Sequence, residues 1–149
     1  MQFKFIRLLI FAALFFGLTP GMGGVKAGGE LKGHIRARVI RVVDGDTLLI
    51  RTRIWLGQEV ETRLRLANID APELKGRCEG EKELARAARW FVQDKIGKGP
   101  VVLRDIHYGK FAGRMVARLE TEAGEDVGRA FRSKGLGRAY KGGKRKSWC

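Results

Sequence analysis

Residues 34–66 read HIRARVIRVVDGDTLLIRTRIWLGQEVETRLRL, and a period of two runs through three segments of that stretch. In residues 34–43, Ile35, Ala37 and Val39 fall on one face, and Arg36 and Arg38 fall on the other. The phase slips at Val39-Ile40, which predicts a β-bulge. Asp44-Gly45 is a hairpin-turn signal. Residues 48–56 resume the alternation, with Leu48, Ile50 and Ile54 opposite Arg51 and Arg53. Gly57-Gln58 turns the chain again. In the third segment Val60, Thr62, Leu64 and Leu66 face inward, and Glu59, Glu61, Arg63 and Arg65 face outward. Three consecutive antiparallel strands joined by tight turns make a meander.

Beyond the meander the period changes. Over residues 79–95 Leu84, Ala88, Phe91 and Val92 recur at helical spacing, with Arg86, Arg89 and Gln93 facing away. Gly97-Lys98-Gly99-Pro100 stops that helix. Residues 101–106 and 114–120 read as a strand pair around a loop containing Tyr108-Gly109 and Gly113. Residues 126–134 read as a short closing helix, with Val127, Ala130 and Phe131 inward and Gly135 at its end. The order predicts a mainly β fold with helices: a five-stranded OB-type barrel with one main helix and a short C-terminal helix. An antiparallel α+β sandwich is the competing arrangement.

Composition narrows the function. The chain has 149 residues, 44% of them hydrophobic, which is enough for one packed domain. Its 30 Lys and Arg against 16 Asp and Glu give a formal net charge of +14, and such an excess points to a polyanionic partner. Two cysteines, Cys78 and Cys149, are too few for a disulfide-dense miniprotein or a four-cysteine zinc module. Two histidines, His34 and His107, argue against a His-rich metal site or a Ser-His-Asp triad.

The N-terminus reads as an address. Lys4 and Arg7 precede the apolar run from Leu8 to Leu18, and Val25-Lys26-Ala27 offers small residues for cleavage after Ala27. The expected organisation is a secretory signal over 1–27, a flexible mature N-terminus over 28–33, the barrel domain over 34–141 and a basic tail over 142–149. Export to the periplasm or the medium follows, as do the absence of stable membrane association after cleavage and a monomeric state. An oxidising compartment lets Cys78 and Cys149 pair, pinning the tail across the body. From Val127 to Cys149 there are eight Lys or Arg and no acid, a composition suited to non-specific phosphate contacts.

Several residues fit phosphodiester hydrolysis, which needs a cation to neutralise charge, a base to activate water, and donors for the transition state. Asp46 and Asp70 are carboxylates at strand ends, of a kind that holds Ca²⁺ alongside a backbone carbonyl. Glu73 lies three residues beyond Asp70 and is placed to act as base. Arg65 and Arg114, on the outward parity of their strands, offer planar forks that match phosphate oxygens.

Taken in order, Val43-Asp-Gly-Asp-Thr47, Arg65 to Glu73 as R-x-x-x-x-D-x-P-E, Gly113-Arg114-x-x-Ala117 and Gly135-Leu136 resemble the staphylococcal-nuclease-like (thermonuclease) family over residues 34–141. That resemblance implies an OB-type barrel and Ca²⁺-dependent cleavage of DNA and RNA to 3′-phosphate ends. It implies Asp46, Asp70 and the Ala71 carbonyl as metal ligands, Arg65 and Arg114 on the scissile phosphate, and Glu73 as general base. A nucleic-acid contact aligns near Tyr140 or Lys141. One departure stands out: the family's Asp-Lys-Tyr-Gly-Arg is here Lys110-Phe111-Ala112-Gly113-Arg114, without the phosphate-side tyrosine. The alternative function is a basic OB-fold nucleic-acid-binding module that is catalytically weak or inactive.

Overall fold

Five strands close on themselves in the order β1-β2-β3-β6-β5 in a computed structural model that describes residues 29–110 and 114–149. The strands are β1 (Leu31–Val42), β2 (Thr47–Trp55), β3 (Gln58–Leu66), β5 (Val101–Tyr108) and β6 (Arg114–Thr121). A two-residue strand, β4 (Ile69–Asp70), pairs with β7 (Arg138–Ala139). Helix α1 (Glu79–Ile96) lies between β4 and β5, and α2 (Val127–Ser133) follows β6. The expected OB-type barrel is therefore present, with its main helix and short C-terminal helix. Residues 1–27, expected to be a signal, and Gly113 lie outside the described residues.

Barrel closure depends on β1 serving two neighbours. Its C-terminal half pairs with β2 from Ala37↔Thr52 to Val42↔Leu48, with a register shift between Val39 and Arg41. Its N-terminal half pairs with β5 from Leu31↔Ile106 to Ala37↔Val101. The bulge expected at Val39-Ile40 supplies the bend that lets one strand do both. The strand begins at Leu31, three residues before the sequence alternation becomes clear. The last closure is parallel: Arg63↔Arg114 through Leu66↔Ala117 join β3 to β6.

The core is one cluster. Leu48, Ile50, Leu64, Leu66, Leu103 and Leu119 fill the barrel, and Ala88 and Val92 of α1 and Val127 and Phe131 of α2 cap it. Phe91 sits against Phe131, ring centroids 6.1 Å apart. Parity misleads at the far hairpin. Ile54 and Val60, expected inside, are exposed together with Trp55 and Leu56. The β2–β3 ribbon continues past the closed part of the barrel, so its alternation has no core to meet. The buried stripe of α1 is Glu81, Ala85, Ala88, Val92 and Ile96. Leu84, Phe91 and Arg89 are half-buried, so the stripe is rotated from the expected one by about one residue. Among the described residues no helix is long and apolar enough to cross a membrane.

The turn between β1 and β2 is packed against both helices. A Cβ on Gly45 would come within 2.9 Å of Ala88 Cβ, 3.0 Å of Phe131 Cζ and 3.1 Å of Ala71 Cβ. A glycine is required there by close approach rather than by its dihedral angles. Gly45→Ala is expected to lower stability by about 1–3 kcal/mol in urea unfolding. Gly80→Ala, whose added methyl meets nothing within 4 Å, is expected to be neutral or stabilising.

Candidate active site

The Gly45 turn also fixes the first candidate ligand. The backbone N–H groups of Val43 and Asp44 donate to the Thr47 carbonyl at 2.9 and 3.2 Å, and Leu66 N–H donates to the Asp46 carbonyl at 2.8 Å. Asp46 is thereby held between the start of β2 and the end of β3. Its Oδ1 accepts from Arg65 Nη1 at 2.8 Å and from the Thr47 hydroxyl at 2.9 Å. Its Oδ2 accepts from Ala71 N–H at 3.3 Å. Arg65 Nη2 reaches on to the Ile69 carbonyl at 3.0 Å. The side chains of Asp46 and Arg65 are only 5% and 12% exposed. Arg65 thus keeps its outward parity yet lies beneath the segment that follows β3, instead of standing on an open barrel surface.

Asp70 lies on β4, opposite Arg138 of β7. Its Oδ1 is buried and accepts no hydrogen bond among the described residues, although Arg145 Nε stands 3.1 Å away as an ion pair. Glu73 is exposed, and its carboxylate is bound by Arg145 Nη1. Arg114 opens β6 beside Arg63 on the parallel β3–β6 ladder, so it shares a face with Arg65 two residues along. Asp46, Arg65, Ala71, Glu73, Arg114 and Arg145 all border one cleft of about 310 Å³. A larger cavity of about 680 Å³ lies between α1, α2 and β6. It holds none of these residues; within it Lys95 pairs with Glu125 at 2.9 Å and Arg118 with Asp126 at 3.8 Å.

Three expected site residues fall outside the cleft's lining: Asp70, Tyr140 and Lys141. Tyr140 donates its hydroxyl to the Gly143 carbonyl at 2.7 Å, and Lys141 is exposed. Two residues of the site were not anticipated. Glu81, buried in the stripe of α1, accepts from Glu73 N–H at 3.3 Å and from Arg77 N–H at 2.9 Å, so it anchors the loop that carries Glu73. Its sequence signal was a carboxylate on an otherwise apolar helix face. Arg145 was hidden among the basic residues of the tail.

A family model described as staphylococcal nuclease homologue matches residues 63–147. The chain belongs to the staphylococcal nuclease homologue family. No curated protein is similar enough to the chain to count as a match. The matched segment takes in Arg65, Asp70, Ala71, Glu73 and Arg114 and reaches the tail, while Asp46 precedes it. Family membership suggests a nuclease or nucleic-acid-binding function, with nucleic acid as the partner. Staphylococcal nuclease homologues are typically metal-dependent. The chemistry of the donors fits a hard divalent cation: Asp46 and Asp70 are buried carboxylates, and Asp70 has an oxygen lacking a hydrogen bond among the described residues.

Burial pushes the Asp46 carboxyl up from 3.8 to about 6. Arg65 opposes the rise, Asp44 adds to it, and Thr47 and Arg145 oppose it. Because the folded value lies above the ordinary one, the charged carboxylate subtracts stability above pH 6. That cost disappears as pH falls through 6 toward 4. With chelator present, the stability of the wild type relative to Asp46→Asn is expected to rise by about 2–3 kcal/mol between about pH 7 and about pH 4. Urea unfolding at each pH reads this, and a flat difference would contradict it.

Proposed function

We propose that this chain is an exported, Ca²⁺-dependent phosphodiesterase that hydrolyses DNA, RNA or both to 3′-phosphate ends. The observation that carries the reading is convergence. The carboxylates of Asp46 and Glu73 and two arginines on adjacent strands border one cleft on the barrel wall, and the buried Asp70 carboxylate lies behind its lining, 3.1 Å from the cleft residue Arg145.

In this reading Asp46, Asp70 and the Ala71 carbonyl hold the cation, which when bound neutralises charge on the phosphate. Arg65 uses two donors on Asp46 and Ile69, and the rest of its fork takes a phosphate oxygen. Its ion pair keeps the guanidinium in one orientation, so little reorganisation is needed as charge builds. Arg114 contributes a second fork from β6. Glu73 takes a proton from the attacking water. The new P–O bond forms as the P–O5′ bond breaks, and the departing 5′ oxygen takes up a proton. The basic tail, including Lys141, adds sequence-independent attraction for the polyanion. Export rests on the charge, apolar run and small-residue order of residues 1–27.

A second reading, a basic OB-fold binder with little catalysis, is favoured by one departure from the family pattern: Phe111-Ala112 stands where a phosphate-side tyrosine is usual. The purified mature chain separates the two. With Ca²⁺, cleavage of single- and double-stranded DNA and RNA is expected, and chelator is expected to abolish it. Glu73→Gln is expected to lose about a hundredfold to a thousandfold, as is Arg114→Ala, each equivalent to about 2.7–4 kcal/mol. Arg65→Ala also breaks a buried ion pair, at a cost of about 3–5 kcal/mol of stability. Arg65→Lys, which keeps the charge and loses the fork, therefore accompanies it. Binding without cleavage in every metal would establish the second reading.

A further inference from the structure

Arg145 is where it is because the tail is closed into a covalent loop. Asn68 and β4 hold its start: Tyr140 N–H donates to the Asn68 carbonyl at 3.1 Å, and Arg138 pairs with Asp70. At its end a disulfide joins Cys149 to Cys78, immediately before α1. Between these anchors Arg138 lies over the Trp148 ring at 3.7 Å and donates to the Ser147 carbonyl at 2.9 Å. The strap therefore crosses the cleft. Of its three consecutive basic residues, Lys144, Arg145 and Lys146, Arg145 lines the cleft.

Once there, its guanidinium engages the acids that the proposed chemistry needs free. Nε is 3.1 Å from Asp70 Oδ1, and Nη1 binds Glu73 Oε1. Burial alone would lower the pKa of Arg145. The charges of Asp46, Asp70 and Glu73 together raise it above its ordinary value, so it remains a cation. A divalent cation on Asp46 and Asp70 and this guanidinium beside Asp70 are like charges competing for the same carboxylates. In addition, Arg145 occupies Oε1 of Glu73.

We propose that Arg145 is a built-in counter-ion that the disulfide-bound tail seats in the cleft, and that a divalent cation must displace it to enter. This rests on the reading of the site as a cation-dependent phosphodiesterase centre. The closed strap is a self-inhibited state. Cation binding opens it, and so does loss of the Cys78–Cys149 bond, which frees the strap at one end.

Calorimetric Ca²⁺ titration of the mature chain, without nucleic acid, tests this. Arg145→Gln is expected to bind Ca²⁺ about tenfold more tightly than the wild type. Arg145→Lys, which retains a cation on the strap, stays closer to the wild type. Lys144→Gln removes the same charge one residue away and is expected to change affinity less than about twofold. The Cys78→Ser, Cys149→Ser double variant is expected to fall between the wild type and Arg145→Gln, with circular dichroism confirming that it is folded. If the wild type binds Ca²⁺ and Arg145→Gln binds equally or more weakly, the counter-ion role is overturned while the cation site stands. If no protein, Arg145→Gln included, takes up Ca²⁺, Mn²⁺ or Mg²⁺, the cation-site reading itself fails and the counter-ion role falls with it.

Discussion

The ion pair between Asp46 and Arg65 is the contact on which the rest of the site depends. It joins the β1–β2 turn to the end of β3, and through the Ile69 carbonyl and Ala71 N–H it fixes the segment that leads to Asp70 and Glu73. Taking both charges out of water is expensive, and a single partner repays it only in part. The raised pKa of Asp46 is the residue of that imbalance. Arg145 brings a further positive charge to this site, and on the proposed reading a divalent ion competes with it.

The barrel is the reason these groups meet at all. The parallel pairing of β3 with β6 brings Arg65 and Arg114 to neighbouring strands although 49 positions separate their numbers. The packing of Gly45 beneath both helices brings Asp46 close to Ala71. Glu73 is held differently, on a loop fastened by its own N–H to Glu81 of α1. Rigid strands carry the charge-binding groups, and a tethered loop carries the group assigned to move a proton.

Much of this was legible along the chain. Alternation in residues 34–66, interrupted at Val39-Ile40, contains the meander and its bulge, and the switch to helical spacing after residue 79 marks α1. Failures occurred where local pattern lacks the deciding partner. Ile54 and Val60 alternate as core residues do, but no second layer covers that end of the hairpin. Leu84 is half-buried and Ala85 buried, because the buried stripe of α1 is set by how the helix docks, which local spacing does not contain. Glu81 and Arg145 could not be placed, since their partners are backbone N–H groups and carboxylates brought in by tertiary structure. The pairing of Cys78 with Cys149 was legible from the count of two cysteines and the signal-like order of residues 1–27, and it places Arg145 near the loop holding Glu73.

Hydrolysis of phosphodiesters by attack of water at this cleft is read by digestion of an oligonucleotide in ¹⁸O-labelled water with mass analysis of the products, compared between the wild type and Glu73→Gln. One ¹⁸O atom is expected in a new 3′-phosphate and none in the 5′-hydroxyl fragment, with the labelled product lost in Glu73→Gln. Label in a 5′-phosphate would contradict it, as would intact oligonucleotide after incubation with each divalent cation.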